Sequence, residues 1–252
     1  MLYIVATPIG NLKDITLRAL EALKEVDFIL CEDTRVTRNL LNHYEIKDKK
    51  LVSYHHHTDA RKMEELVELI KNNKVALVTD AGTPGISDPG GLLIKALKQE
   101  YTRPQHLVAS DGGQENIKIQ GKKNKGGEDL EIVPIPGASA AVTALSVSGF
   151  PTDEFLFKGF IPHKKGRQTF LKEVLAEKRT VVFYESCHRI IKCLEEMKTL
   201  SENGTTKELM VGRELTKKFE SIYRGNIQDV LEKVKADPLK GEYVIVVSPV
   251  VR

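Results

Sequence analysis

Residues 2–31 read LYIVATPIGNLKDITLRALEALKEVDFILC, and this stretch decides the fold class. Residues 2–6 are apolar and partly β-branched, which predicts a buried strand, and the Pro and Gly of the following TPIGN mark a turn. Asp14 is placed to cap a helix, and residues 28–31 predict a second buried strand. The helix has one apolar side, which consists of Leu17, Leu20, Leu23 and Val26. The order strand, helix, strand predicts a βαβ unit.

The same alternation continues to residue 79. A short helix is predicted at 35–43, and strands are predicted at 51–55 and 75–79. Between these two strands, apolar residues recur at the spacing of an amphipathic helix, namely Met63, Leu66, Val67 and Ile70. Apolar strands that alternate with amphipathic helices are typical of a parallel sheet covered on both sides. The N-terminal half is therefore predicted to be α/β.

The pattern stops after Leu97. Residues 99–129 contain few large apolar side chains and many Gly, Lys, Gln and Asn residues, so we expect an insertion or a flexible loop there. A strand at 131–136 then leads into a helix that Ser139 can cap and Gly149 can end.

Residues 150–153, FPTD, are predicted to be a hinge, and a second α/β layer follows it. Its predicted strands are at 155–161, 180–184, 208–213, 219–224 and 242–248, and its predicted helices are near 165–177, 188–200 and 226–235. The sequence therefore predicts two α/β domains, residues 1–150 and 151–252.

The composition excludes several classes of protein. The chain has 252 residues with a formal net charge of +3, and 41% of them are apolar, which excludes disorder as the main state. No stretch approaches the ~18 consecutive apolar residues of a membrane span, and the N-terminus lacks the basic region of a secretion signal. The three cysteines form no CxxC pair, and their odd number argues against a disulfide framework. We expect a cytoplasmic protein with no membrane association.

Three loops that follow apolar strands are rich in small residues. They are residues 7–11 (TPIGN), 80–91 (DAGTPGISDPGG) and 136–140 (PGASA). Because the carboxyl ends of parallel strands line a crevice, we expect these loops to lie along one edge, where backbone N–H groups can approach a small ligand. A dinucleotide fingerprint would need more Gly in the first loop, and the chain has no GxxxxGK[ST] motif, so NAD and nucleoside triphosphates are disfavoured.

Six segments between residues 5 and 220 carry a resemblance to a known family. In chain order they are VATPIGNLKDIT, CEDTRVTRNLL, VTDAGTPGISDPG, PIPGASA, YESCHR and GRELTKKFE. Together they closely resemble the RsmI-type ribosomal RNA 2'-O-methyltransferases, which belong to the tetrapyrrole-methylase-like class. The resemblance covers nearly the whole chain except residues 99–129.

The resemblance implies a fold, a reaction and partners. It implies two α/β domains with a cleft between them that binds S-adenosylmethionine (SAM) as the methyl donor, and it implies a homodimer. The implied acceptor is the ribose 2'-hydroxyl of a cytidine in the decoding region of small-subunit ribosomal RNA, as free RNA or in the assembled subunit.

The implied donor site falls on the three small-residue loops. We expect backbone groups of residues 81–83 to bind the donor's polar edges, and a helix start near residue 139 to bind its carboxylate. Asp80 has an alternative structural role, which is to hold its own loop by hydrogen bonds. The full predicted set is Thr7, Pro8, Gly10, Asn11, Asp80, Ala81, Gly82, Thr83, Pro84, Ser87, Asp88, Gly90, Gly137, Ser139 and Ala140.

Two further segments place carboxylates and arginines at strand ends, EDTR at 32–35 and ESCHR at 185–189. Methylation of a hydroxyl needs a general base or precise orientation of the oxygen. The predicted catalytic residues are Glu185, His188 and Arg35, and the predicted RNA-binding residues are Arg35, Arg38, Arg189, Lys217 and Lys218. A set of interdomain salt bridges without a catalytic role explains the same residues, and both interpretations stay open.

His55, His56 and His57 suggest a metal site at first sight. Consecutive strand residues point to opposite faces, so this run predicts no metal centre. The family usually has Glu at the position of His56 and Pro at the positions of Ala138 and Cys187. The change at Cys187 removes a rigid helix start beside the predicted catalytic residues.

Two other functions are compatible with the sequence. One keeps the fold and the donor but methylates a corrin-type tetrapyrrole; the arginine group and ELTKKFE favour RNA over it. The other is a ribosome-assembly factor that binds ribosomal RNA or SAM without transferring a methyl group.

Overall fold

The computed structural model describes residues 1–55, 58–102, 130–201 and 207–250. In the first half of these ranges, parallel strands form a sheet with helices on both faces. The strands are β1 (Leu2–Val5), β2 (Phe28–Cys31), β3 (Lys50–Ser53), β4 (Val75–Leu77) and β5 (Ile132–Ile135). The helices are α1 (Leu17–Glu25), α2 (Thr34–His43), α3 (Ala60–Asn72), α4 (Gly91–Thr102) and α5 (Ala140–Ser146).

The strand order of this first sheet is β3-β2-β4-β1-β5. Leu2 of β1 pairs with Val75 of β4 on one side and with Ile132 of β5 on the other. Since all three strands are parallel, the loops that follow them start at one edge of the sheet.

The second half forms a mixed sheet. Its strands are β6 (Phe155–Phe160), β7 (Thr180–Ser186), β8 (Glu208–Arg213), β9 (Ser221–Asn226) and β10 (Glu242–Val247), and its helices are α6 (Arg167–Ala176), α7 (Ile190–Ser201) and α8 (Ile227–Ala236). The order is β6-β7-β10-β8-β9, with β6 and β7 parallel and the other neighbours antiparallel.

The two faces of the second sheet have different partners, because successive residues of a strand point to opposite faces. Val181 and Phe183 pack with α6, α7 and α8 in one core cluster. Val182 and Val244, on the opposite face, pack with Ala144 of α5 and with Ile9 from the loop after β1. The first half of the chain therefore covers the second sheet directly.

Most predicted elements are confirmed, with corrections to the caps, buried sides and ends of some helices. Thr16, and not Asp14, caps α1 through a 3.1 Å hydrogen bond from the Ala19 N–H, because Asp14 lies in a short 3-10 turn. Leu17 faces solvent with 78% of its surface exposed, since the buried side of α1 is formed by Ala19, Ala22 and Leu23.

The other corrections concern helix ends. Residues 99–102 of the expected insertion at 99–129 belong to α4, and its remaining residues, 103–129, lie outside the described residues. α5 ends at Ser146, and Gly149, with a φ of 79°, follows three residues later. Within the described residues, every helix is too short or too polar to span a bilayer.

Candidate functional site

The three small-residue loops meet at one place. The Thr7 N–H donates to the Gly82 carbonyl at 2.9 Å, and the Gly82 N–H donates back to the Thr7 carbonyl at 3.1 Å. The Thr83 hydroxyl donates to the Ala138 carbonyl at 3.1 Å. The prediction that the loops after β1, β4 and β5 lie along one edge is confirmed.

Glycine is needed here so that the loops can touch each other. Gly82 has a φ of 85°, in the left-handed region, where a side chain is strained. A Cβ atom on Gly137 would lie 2.9 Å from the Ala6 Cβ, closer than two such atoms approach. The backbone N–H and carbonyl of Gly82 are both used in the junction with Thr7, so they are not free for the donor's polar edges.

Beside this junction lies a cleft of about 450 Å³ between the two halves of the chain. One wall comes from the predicted loops and contains Asp80, Ala81, Gly82, Thr83, Ser87, Asp88, Ser139 and Ala140. The opposite wall comes from strand ends of the second sheet and includes Phe160, Tyr184 and residues 241–244. Ser139 precedes α5 but makes no capping hydrogen bond through its hydroxyl, which is thus free for another partner.

The remaining predicted donor residues lie elsewhere. Thr7, Pro8 and Gly10 line an adjoining cavity of about 390 Å³ beside α2. Thr7 is 3% exposed, and its hydroxyl donates to the Thr79 carbonyl at 3.1 Å. The Asn11 side chain accepts from the Lys13 N–H at 3.1 Å and caps a 3-10 turn. Asn11, Pro84, Gly90 and Gly137 line neither cavity.

Six carboxylates line the cleft: Glu32, Asp80, Asp88, Glu185, Glu214 and Glu242. The pKa of Asp88 is raised to about 7, chiefly by burial and then by the negative charges of Glu32, Asp80 and Glu242. Asp80 accepts the Asp33 N–H at 3.1 Å and so links its loop to the segment after β2 instead of holding its own loop, and its role in the donor site stays a prediction. The cleft therefore favours a ligand that carries positive charge.

Glu185 lies in a buried ion-pair network. Its carboxylate is fully buried and accepts from Arg167 at 2.9 Å and from Arg189 at 2.7 Å. Arg167, which is 5% exposed, also pairs with Glu196 at 2.7 Å. A general base needs an oxygen that can reach the substrate proton, and both oxygens of Glu185 are engaged by arginines. This geometry does not favour the predicted base role of Glu185 or the predicted phosphate contact of Arg189, and both stay predictions.

His188 does line the cleft. It follows β7 on a turn in which the Arg189 N–H donates to the Ser186 carbonyl at 3.0 Å, and its side chain is exposed. Cys187 lies beside it on the same wall, at the position where the resemblance leads us to expect Pro.

The predicted RNA-binding cations differ in their surroundings. Arg35 is 88% exposed and pairs with Asp33 at 2.6 Å, and this hydrogen-bonded pair lowers the pKa of Asp33 to about 2. Arg38, on the same helix, and Lys218 are exposed. Lys217 points into the cleft and pairs with Glu214 at 2.9 Å and Glu242 at 3.0 Å. Although burial opposes its charge, these hydrogen bonds raise the pKa of Lys217.

Several residues of the cleft escaped the sequence analysis. Ile9 stands between Pro8 and Gly10, yet it is the member of the first loop that reaches the main cleft. Tyr184 and Glu242 lie at the ends of apolar strands, where the periodicity predicts only the sheet. Arg167 does not line the cleft but supports Glu185 from behind, and no sequence signal points to its burial.

In the described part of the chain, no three His, Cys, Asp or Glu side chains are grouped as metal ligands would be. His56 and His57 lie outside the described residues.

A family model and similar solved structures show which class of protein this chain belongs to. The family model of the tetrapyrrole (corrin/porphyrin) methylases matches residues 1–104 and 119–231. The crystal structure of the methyltransferase CobJ has a TM-score of 0.63 at 17% identity, covering 98% of this chain and 93% of that one. Diphthine synthase has a TM-score of 0.65 at 15% identity, covering 98% of this chain and 89% of the other. At such identities the structures support the shared fold.

Sequence relatives narrow the class. Ribosomal RNA small subunit methyltransferase I of Hydrogenobaculum sp. is 43% identical over 98% of this chain and 95% of its own length. The protein of the same name from Halalkalibacterium halodurans is 41% identical over 98% of this chain and 75% of its own length. The chain therefore belongs to the tetrapyrrole (corrin/porphyrin) methylase family and, within it, to the RsmI-type methyltransferases.

Proposed function

We propose that this chain transfers a methyl group from SAM to the ribose 2'-hydroxyl of a cytidine in the decoding region of small-subunit ribosomal RNA. The observation that carries the proposal is the meeting of three small-residue loops beside an acidic cleft in a chain 43% identical to a ribosomal RNA small subunit methyltransferase I.

The residues of the cleft fit SAM. The volume of the cleft, about 450 Å³, lies within the range of roughly 300–1,000 Å³ that is usual for small-molecule sites. Ala81, Gly82 and Ala140 leave room along one wall, and the apolar side chains of Ile9, Leu215 and Val244 can cover a nucleoside. The carboxylates stabilise the positive charge of a sulfonium, which supplies the electrophilic methyl group.

Other residues act around the donor. The Ser139 hydroxyl and the backbone around Ala81 and Thr83 would hold the polar ends of SAM. Glu185 is a positioning residue, because its ion pairs with Arg167 and Arg189 fix the turn that carries His188. Arg35 and Arg38 on the exposed side of α2 contact RNA phosphates, together with Lys218. Lys217 holds Glu214 and Glu242 in the cleft wall.

We further propose that residues 1–150 and 151–252 act as two domains, that the chain works as a homodimer in the cytoplasm, and that the acceptor is either free ribosomal RNA or the small subunit. A methyltransferase that modifies ribosomal RNA must meet its acceptor where the ribosome is assembled.

A direct assay tests the function. The purified chain is incubated with SAM and either assembled small subunits that lack the methyl group or naked small-subunit RNA, and the RNA is then digested to nucleosides for mass spectrometry. We expect 2'-O-methylcytidine from at least one of the two substrates. Absence of transfer to both substrates would contradict the proposal, and transfer to a corrin-type tetrapyrrole offered in parallel would favour the alternative reaction.

A further inference from the structure

Asp88 occupies a distinctive position in the cleft wall. It lies between β4 and α4 on a loop whose neighbours Gly85, Ser87 and Gly90 all have positive φ angles. A Cβ on Gly90 would be 3.1 Å from the Gly85 nitrogen, so the loop is folded tightly on itself. Ser87 reaches across to β6, since a Cβ on Gly159 would lie 2.9 Å from its hydroxyl oxygen. This loop therefore holds the Asp88 side chain at a fixed place between the two halves.

The other acidic groups of the cleft are already engaged. Glu185 is bound by two arginines, and Lys217 pairs with Glu214 at 2.9 Å and with Glu242 at 3.0 Å. Asp80 accepts the Asp33 N–H at 3.1 Å, and Glu32 accepts the Asp80 N–H at 3.5 Å. Asp88 is half-buried, and among the described residues its carboxyl group has no hydrogen-bond or ion-pair partner.

The charged groups around Asp88 come from several elements. Glu32 follows β2, Asp80 follows β4 and Glu242 begins β10, and all three raise the pKa of Asp88 through their negative charge, after burial, which is the largest cause. Tyr184 on β7 is also close to Asp88. Burial is the main cause of the raised pKa of the Tyr184 phenol, and the negative charge of Asp88 raises it as well. His188 lies on the same cleft wall as Tyr184.

We propose that Asp88 is the proton acceptor of the methyl-transfer reaction. This inference rests on the proposed function. Asp88 takes the proton of the acceptor hydroxyl while the oxygen–methyl bond forms and the sulfur–methyl bond breaks. Charge balances, because one carboxylate and one sulfonium are converted into a carboxylic acid and a neutral thioether.

The change of charge on the donor sets the protonation of Asp88 at each stage. Without a ligand, burial and then repulsion from Glu32, Asp80 and Glu242 raise the pKa of Asp88 to about 7, so that about half of the carboxyl groups carry a proton at pH 7. The positive charge of bound SAM favours the carboxylate, which is the form that can accept a proton. Once the methyl group has left, that positive charge is gone and Asp88 again favours the proton. The carboxylate form of Asp88 is thus most populated while the donor still carries its methyl group.

Calorimetry tests this coupling without any turnover. SAM is titrated into the chain at pH 7 in two buffers of different ionisation enthalpy, which measures the protons released on binding. Because a pKa near 7 leaves about half of the Asp88 carboxyls protonated, we expect release of up to about half a proton per SAM, and little release for the neutral product S-adenosylhomocysteine. Asp88→Asn should bind SAM without this release. Equal release by the variant, or none by the native chain, would overturn the proposal.

Single-turnover kinetics with saturating SAM give a second test. We expect Asp88→Asn to slow methylation by about 10²–10⁴-fold and to abolish the increase of the rate with pH. Asp88→Glu should keep part of the rate and still show an increase with pH. Glu242→Gln is the matched charge-removal control. The rate of this variant should still increase with pH, but the increase should occur at lower pH than in the native chain. An Asp88→Asn rate close to that of the native chain would refute the base role but not the proposed function, which fails only if the native chain methylates no RNA.

Discussion

At the scale of single residues, burial and pairing separate carboxylates that look equivalent in the sequence. Glu185 near the end of β7 and Asp88 in the loop after β4 both line the cleft, but Glu185 is paired with two arginines whereas Asp88 feels the negative charge of three acids. The sequence could predict that these positions belong to a site, because the small-residue loops and the strand ends are visible in it. It could not predict which carboxylate is neutralised, since Arg167 pairs with Glu185 only after α6 has packed against β7.

Asp88 makes stability depend on pH. Its folded pKa of about 7 is above the value of 3.8 for an unperturbed carboxyl, so its contribution to stability is fully present below about pH 4 and is lost as pH rises through 7. We therefore expect Asp88→Asn to be more stable than the native chain at pH 8, by on the order of 1–2 kcal/mol for a half-exposed group, with the difference vanishing near pH 4. Urea unfolding at both pH values measures this, and a difference independent of pH would contradict it.

Gly82 links the loops and is sensitive to substitution. Gly82→Val places a β-branched residue at a φ of 85°, which costs about 1–3 kcal/mol and displaces the junction with Thr7. We expect SAM affinity to fall by about tenfold or more in calorimetry. Gly91→Val is the control, because a Cβ at Gly91 meets no atom within 4 Å, and it should bind SAM normally. Unchanged affinity in Gly82→Val would remove this loop from the donor site.

At the scale of elements, the sequence predicted nearly every strand and helix of the described residues, because apolar periodicity reports which face is buried. The errors have local causes. Asp14 and Thr16 are both good capping residues. Thr16 caps α1 because Leu12–Asp14 form a 3-10 turn, and the apolar periodicity of the sequence does not predict such a short turn. The seven-residue helix α5 looks like the last element of the first half, yet its buried side packs on the second sheet, a contact that no local pattern reveals.

The Arg167 network fixes α6 and α7 to β7. Removing one partner from a buried ion pair leaves an uncompensated charge, so we expect Arg167→Ala to destabilise the chain by about 3–5 kcal/mol. Arg179→Ala is the matched control, because Arg179 forms an exposed pair with Glu177, and it should cost less than about 1 kcal/mol. Denaturant midpoints compare the two variants, and similar midpoints would show that the network adds no more than a surface pair.

At the scale of the whole molecule, the cleft exists because the two halves contact each other beside the loop junction. One wall carries the backbone-rich loops, and the other carries side chains from the second sheet. The separation of a donor cleft from exposed arginines on α2 suggests that donor and RNA are bound by different surfaces. The size and the walls of the cleft could not be predicted from the sequence, since they depend on how the two sheets pack against each other, and no local pattern reports that packing.

Arg35 tests this separation of surfaces. Its guanidinium is 88% exposed and outside the main cleft, so Arg35→Ala should weaken RNA binding several-fold and reduce its salt dependence by about one phosphate contact. Its SAM affinity should stay unchanged. Filter binding at several salt concentrations and calorimetry with SAM measure the two properties, and loss of SAM affinity alone would assign Arg35 to the donor site.

The most direct test of the central claim is a crystal structure of the chain with S-adenosylhomocysteine. The claim predicts that the ligand lies in the cleft of about 450 Å³, against Ala81 and Ala140 on one side and Tyr184 and Val244 on the other. Binding instead in the adjoining cavity beside Thr37, or on a remote surface, would contradict it.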